Sequence, residues 1–315
     1  MDGTRILEFG LGAVKLDAKG LVDTSGTFRL DGRRKSPYQI RRVTVQLGVM
    51  SNADGSCVWT VGGDAPDETR SGAQGSDQQM KNLLLPRCTQ VISTVYGPVS
   101  CLPRSQMVSE ASVQVNLKVT NTCKVRKDVV LVWEREIQNT LKEAILTSLY
   151  PRSLVSISIV LNQDDGGVLA ACINSATLAL LDARVPLKCV PCAGASAIRK
   201  TTLDEREVLS NPVASASANK SDPTRVEFMD HKPGDFTLAD PDRNEELDAA
   251  AVITVVLESS TSKILSINTA GDTEDQEKFS TSVRTSSMLA MEIYQNQIQS
   301  IMRQVELDES ILGRT

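Results

Sequence analysis

Apolar residues recur at every second position in several short stretches, the period of a half-buried strand. Val43, Val45, Leu47 and Val49 alternate in this way. Asn52-Ala53-Asp54-Gly55-Ser56 has turn composition, and Cys57-Val58-Trp59-Thr60-Val61 reads as the returning arm of a hairpin. Residues 89–96 predict a third strand that stops at Gly97-Pro98, and residues 111–119 a fourth. The period then changes to three and four. Over 131–149, Ile137, Leu141, Ala144, Ile145 and Leu149 predict an amphipathic helix, which Tyr150-Pro151 ends. Residues 154–161 alternate again, with Val155, Ile157, Ile159 and Leu161 inward. After the turn Asp164-Asp165-Gly166-Gly167, residues 170–183 are helix-forming and apolar nearly all round, the pattern of a helix buried on every side. Residues 250–257 and 263–268 predict a further hairpin. Thr273-x-x-Gln276 has the form of a capping box opening a long helix, whose apolar face carries Phe279, Val283, Ala290, Ile293, Ile301 and Val305.

Two stretches break this patterning. Residues 62–86 are rich in Gly, Asp, Ser and Gln, residues 199–238 are of low complexity with PVASASAN over 212–219 in the middle, and both read as long exposed loops. Residues 1–29 are mixed and read as an N-terminal extension. The order strands, helix, strand, buried helix, strands, helix predicts one α+β domain over 30–310 with two long loop insertions.

Composition narrows the chemistry. Hydrophobic residues at 41% and charged residues at 23% are ordinary for a globular chain of 315 residues. The 34 basic against 39 acidic side chains give a net charge of −5, so a nucleic-acid contact has to be a local basic stripe. A lone histidine, His231, excludes multi-histidine metal sites. Seven scattered cysteines suggest reduced thiols. Cys189-Val190-Pro191-Cys192 has no second pair to complete four zinc ligands, so neither a metal nor a cofactor is expected. Aromatics at 3% are too few for a base-stacking platform. No run approaches the roughly 18 apolar residues of a membrane span, and the polar start is unlike a secretory signal.

Four stretches carry a resemblance to a known family. They are DGRR…IRR…GV…ADGS over 31–56, TQVISTVYGPVS over 89–100, the run from Ala144 to Leu187 ending in LDA-x-VP, and the run from Asp240 to Gly271. Together they are similar to the RNase PH family, in particular to the RNase PH-like subunits of the eukaryotic exosome ring in the branch related to the archaeal catalytic subunit. The resemblance implies a single RNase PH-like domain with β-α-β-α layering of the ribosomal protein S5 domain 2 type.

In that family the last phosphodiester of RNA is cleaved with inorganic phosphate as nucleophile. The chemistry needs an in-line anion site made of backbone N–H groups and arginine, together with carboxylates that act as acid or hold Mg²⁺. A Gly-Thr-Arg-Thr-like turn before the buried helix supplies the phosphate site in active members. Here the matching residues are Gly167, Val168, Leu169 and Ala170, and Val168 and Leu169 offer neither hydroxyl nor guanidinium. Asp128, Val129 and Gln138 stand where active relatives carry arginines. The acid pair is half retained, as Asp240 and Glu246, which the resemblance makes vestigial catalytic candidates. Asp240 is equally a turn-starting Asp-Pro. The expectation is a non-catalytic subunit without cofactor. The alternative is an active phosphate-dependent 3′-5′ exoribonuclease whose anion site uses Arg126 or Lys127, and a third reading is an RNA-binding protein outside any ring.

Candidate RNA contacts are Arg104, in the loop after Tyr96-Gly97-Pro98, and Lys124, Arg126 and Lys127, with Arg33, Arg34, Arg41 and Arg42 near the start. Such residues bind phosphates without reading sequence. The resemblance further implies other RNase PH-like subunits as partners in a hexameric ring, S1/KH cap subunits, a hydrolytic exoribonuclease, RNA and no membrane, with residence in nucleus, nucleolus and cytoplasm.

Overall fold

The computed structural model describes residues 5–9, 38–63, 88–100, 108–120, 123, 125–199, 236–273 and 276–312. Strands β1 (Arg5–Phe9), β2 (Val43–Leu47), β3 (Gly55–Gly62), β4 (Cys88–Ser100), β5 (Ser112–Val119) and β6 (Ser153–Gln163) form one sheet in the order β1-β2-β3-β4-β6-β5. Strands β7 (Pro191–Arg199), β8 (Phe236–Ala239), β9 (Ala249–Glu258) and β10 (Ile264–Gly271) form a second, ordered β10-β9-β7-β8. Helices α1 (Lys127–Ala144) and α2 (Val168–Asp182) fill the space between the sheets. The short α3 (Arg243–Asp248) precedes β9, and α4 (Gln276–Leu312) covers the far face of the second sheet. The layers therefore run sheet, helices, sheet, helix, as the α+β reading predicts.

The packing follows from the sequence pattern. Val155, Ile157, Ile159 and Leu161 are all fully buried on the inner face of β6, each contributing roughly 1.5–3 kcal/mol by leaving water. Val168 to Leu180 of α2 are buried without exception, because the helix has a sheet on either side. Gly55 permits the approach: a Cβ there would collide with the Ala179 carbonyl oxygen and the Ala183 backbone nitrogen of α2. Of the apolar face expected on α4, Ala290 and Ile293 are buried and Phe279, Val283 and Ile301 partly so; the side chain of Val305 lies outside the described residues.

Several expectations change. The stretch read as an N-terminal extension contains β1, which pairs antiparallel with β2. The first helix begins at Lys127 and ends at Ala144: Ile145 is extended and bridges to Leu187, a single 3₁₀ turn covers Thr147–Leu149, and Leu149 is 58% exposed. Gly97-Pro98 does not stop β4, whose pairing with β6 shifts register between Tyr96 and Val99 and resumes. Strand β7 is absent from the sequence reading because its residues PCAGASAIR are small and show no alternation; it is nonetheless central and buried. The loop expected over 199–238 gives way at both margins, Arg199 closing β7 and Phe236 opening β8. The rest of both expected insertions lies outside the described residues, apart from Gly62, the last residue of β3, and Gly63.

Parallel β5 and β6 are joined through α1, and β6 leads into α2. Val119, at the end of β5, sits opposite Leu161 near the end of β6, so both helices start at the same margin of the sheet. No described helix is long and apolar enough to cross a membrane.

Candidate functional site

At that margin the chain turns from β6 into α2 through Asp164, Asp165, Gly166 and Gly167. Gly167 is the N-cap of α2 with φ +66°, a left-handed conformation that glycine adopts without strain. Thr89 on β4 pins the turn: its hydroxyl accepts the Asp165 N–H at 2.9 Å and donates to the Gly166 carbonyl at 2.7 Å.

Arg41, just before β2, reaches the turn from below and is only 7% exposed. Its Nε donates to Asp240 Oδ2 at 3.0 Å and its Nη2 to Oδ1 at 2.7 Å, a bidentate pair. Its Nη1 donates to the Asp165 carbonyl at 2.6 Å and faces Asp165 Oδ2 at 3.4 Å, while Nη2 also reaches the Pro241 carbonyl at 3.2 Å. Arg41's own N–H donates to Asp240 Oδ2 at 2.8 Å. The guanidinium has five N–H donors, and these acceptors suffice for all of them. Burial by itself lowers the Arg41 pKa, but the adjoining Asp240, with Asp165 and Glu246, more than reverses this and holds the charge firmly. The expectation of Arg41 as an RNA contact is therefore corrected: it is a buried structural cation.

Asp240 is likewise no surface turn. It is 8% exposed with φ +47°, and its N–H donates to the Ala195 carbonyl of β7 at 3.0 Å. Two residues on, Asp242 opens α3 with a capping box: its carboxylate accepts the Glu245 N–H at 2.7 Å, and the Glu245 carboxylate accepts the Asp242 N–H at 2.9 Å. That cap aims Glu246 back at α2. Glu246 Oε1 accepts the Gly167 N–H at 2.7 Å, and Arg243 bridges Glu246 (3.3 Å) and Asp164 (3.7 Å). Burial pushes the Glu246 carboxyl above the ordinary range and Asp164 adds to this, against the lowering effect of the Gly167 N–H, Arg243 and Arg41.

The place that resemblance assigns to a phosphate is thus already lined by the chain's own carboxylates. Val168 and Leu169 are 3% and 6% exposed and point into the core. The cavity beside the network, lined by Arg41, Trp59, Gly167, Asn174, Ala193 and Asp240, measures about 30 Å³. That is room for about one water, against the several hundred Å³ of a typical small-molecule site. Among the described residues, no group of three His, Cys, Asp or Glu side chains is arranged to hold a metal ion. The six described cysteines are free thiols, and burial raises Cys57, Cys172 and Cys192 to about 12.

The other expected residues fall into three groups. Gln138, in the position of a helix arginine, donates to the Val113 carbonyl of β5 at 2.8 Å and so faces the sheet edge. Arg126 and Lys127 are exposed at the start of α1, and Arg126 is its N-cap without a side-chain capping bond. Arg104, Lys124, Arg33 and Arg34 lie outside the described residues, and Arg42 is part-buried. Sequence reasoning joined Asp240 to Glu246 and named Arg41 only as a candidate RNA contact; it missed Thr89, Asp165 and Arg243 as members of the network. Arg41 stood in IRR inside a quoted stretch, yet nothing local distinguished it from Arg42.

Residues 39–186 match the sequence profile of the family described as "3′ exoribonuclease family, domain 1". The chain is 30% identical over 193 residues to the exosome complex component rrp46 of Schizosaccharomyces pombe, covering 59% of this chain and 74% of that protein. It is 30% identical over 177 residues to the human exosome complex component RRP41, covering 53% of this chain and 60% of that protein. Across several curated relatives, the matched region spans about half to two thirds of their length. Its fold is shared with the crystal structure of rice Rrp46, at a TM-score of 0.55 and 21% identity, covering 82% of this chain and 92% of that one.

Proposed function

The chain belongs to the RNase PH family of 3′ exoribonucleases, and from that premise we propose that it is a non-catalytic subunit of an exosome-type ring. In this reading it pairs with other RNase PH-like chains in a hexamer, under S1/KH cap subunits, and helps thread RNA towards an associated hydrolytic exoribonuclease in nucleus and cytoplasm. The names of its relatives support the assembly, since rrp46 and RRP41 are both exosome components. One observation carries the loss of activity. The first donor of α2, the Gly167 N–H, is bonded to the Glu246 carboxylate at 2.7 Å, and the nearest guanidinium, Arg41, is bonded to Asp240. A phosphate entering there meets carboxylates, and Val168 and Leu169 supply no compensating charge. Asp240 and Glu246 serve as the internal anions of the fold.

RNA contact then rests on exposed cations away from this network, namely Arg126 and Lys127, joined by Arg104 and Lys124. They bind the phosphate backbone without sequence preference. The test is a ring reconstituted around this chain and supplied with single-stranded RNA, phosphate and Mg²⁺. No nucleoside diphosphate is released if the reading holds. Phosphate-dependent release that disappears in Asp240→Ala overturns it, and release that disappears in Arg126→Ala/Lys127→Ala establishes the active alternative.

A further inference from the structure

Trp59, on β3, is 1% exposed, and its indole Nε1–H meets no hydrogen-bond acceptor of the chain. A buried donor left this way costs about 1–3 kcal/mol, and folded proteins almost always give it a partner. The same side chain forms one wall of the cavity of about 30 Å³ beside the Arg41–Asp240 pair. That cavity lies where the layers meet. Trp59 and Val61 come from the first sheet, Ala193 and Ala195 from β7 of the second, and Asn174 from the buried helix α2.

Two side chains on the walls carry acceptors. Asn174 is buried; its Oδ1 accepts the Ala193 N–H at 2.8 Å and its Nδ2 donates to the Ala193 carbonyl at 3.0 Å. A carbonyl oxygen has two lone pairs, so Asn174 Oδ1 can accept once more. Asp240 Oδ1 accepts from Arg41 Nη2 at 2.7 Å. It also borders open space on the Gly167 side, where an added Cβ would meet nothing nearer than Arg41 Nη2 at 3.5 Å and Asp240 Oδ1 at 3.9 Å. Most of the other walls are apolar, Leu289 and Ile293 among them, and these keep bulk solvent away from the three polar groups.

We propose that this cavity is a binding site for one internal water molecule, which accepts the Trp59 Nε1–H and donates to Asn174 Oδ1 and Asp240 Oδ1. Chemistry and size together select water. The occupant has to accept at one wall and donate at the others. A metal ion has no lone pair for the indole N–H, and an anion would face the Asp240 carboxylate. A volume of about 30 Å³ admits a water and excludes larger groups that both donate and accept. The water is shared by both sheets and the buried helix, and it gives Asp240 a neutral donor beside its charged one. The site belongs to the fold of the single chain and stands independently of the ring reading.

Two measurements on the full chain test the site. A high-resolution crystal structure should show one ordered water within about 3.2 Å of Trp59 Nε1 and of at least one of the two acceptors. In solution, the Trp59 indole proton should show nuclear magnetic cross-relaxation with a water that stays bound for longer than the protein takes to tumble. Trp133 is the only other tryptophan, so the signal that Trp133→Phe removes identifies the remaining one as Trp59. Trp59→Phe should lose the water while the Asn174–Ala193 and Arg41–Asp240 bonds stay in place. A wild-type cavity without that water, or one that takes up xenon under pressure as a dry apolar void does, overturns the proposal. So does a water equally ordered in Trp59→Phe. If Trp59→Phe does not fold, the wild-type density and cross-relaxation decide.

Discussion

Two helices start at one margin of the six-stranded sheet, and their first turns have opposite fates. The N-terminus of α2 is buried: Gly167 donates to Glu246, the turn before it is held by Thr89, and Arg41 beneath it is bonded by Asp240 and Asp165. The N-terminus of α1 is open: Arg126 caps it without a side-chain bond, and Arg126, Lys127 and Asp128 face solvent. Both ends carry the same partial positive charge from their unpaired N–H groups. What differs is where the anion comes from. At α2 a distant segment brings the Glu246 carboxylate onto the Gly167 N–H, whereas at α1 the acidic Asp128 shares the exposed first turn with the two cations Arg126 and Lys127.

The strongest way to break that contrast is to remove one partner of the buried pair. Arg41→Met takes the bidentate cation from the buried Asp240 carboxylate, and Asp240→Asn takes the nearest anion from buried Arg41; each should cost about 3–5 kcal/mol in urea unfolding. The double variant should cost less than the sum of the two, and additivity would show that the pair does not act as a unit. Next in size is the turn. A Cβ on Gly166, at φ +90°, would sit 2.5 Å from the Pro241 carbonyl oxygen and 2.9 Å from the Arg243 nitrogen. Gly166→Ala should therefore cost at least about 2 kcal/mol. Gly167→Ala, whose Cβ meets nothing closer than 3.5 Å, should cost only about 1–2 kcal/mol. Equal losses would mean that α3 is not wedged against the turn.

At α1 the same logic predicts binding effects without stability effects. Arg126→Ala/Lys127→Ala should leave the melting temperature unchanged while lowering RNA affinity roughly tenfold, and should reduce the slope of log K against log salt by about 2. A fall in stability with no change in salt slope would reverse the roles of the two helix ends. The smallest change concerns Glu246. Its folded pKa lies above the ordinary 4.5, so folding favours the protonated form. The stability this provides is present at acid pH and is lost as pH rises from about 4.5 through the raised value. Glu246→Gln keeps an oxygen for the Gly167 N–H but does not titrate. Its melting temperature should therefore gain on wild type as pH rises from about 4.5 through the raised value, and then run level. A difference that shrinks instead would mean that the ion pair with Arg243 dominates.

The predicted elements were most legible where burial is one-sided or complete. The alternation over β6 and the all-round apolarity of α2 each have one structural solution, and both took it. Legibility failed where side chains are small or signals compete. Strand β7 has no period because α2 on one face and α4 on the other leave space only for Ala, Gly and Ser at most positions. At the end of α1, helix-period leucines ran on to Leu149, but pairing of Ile145 with Leu187 ended the helix five residues sooner than the Tyr150-Pro151 signal predicts. The capping box at Asp242 and Glu245 was not read, because it opens a helix too short to show helical periodicity.

By itself the sequence indicated the α+β class, the RNase PH resemblance and that Val168 and Leu169 carry neither hydroxyl nor guanidinium, because these depend on residue type at fixed spacing along the chain. Only the tertiary structure decided what surrounds them. Arg41 and Asp240 are 199 positions apart, and Gly167 and Glu246 are 79 apart. No local pattern encodes such pairings. They form because two sheets closing on one buried helix bring four separate segments to its first turn, and a charge shut in there without a partner would cost more than the fold has to spare.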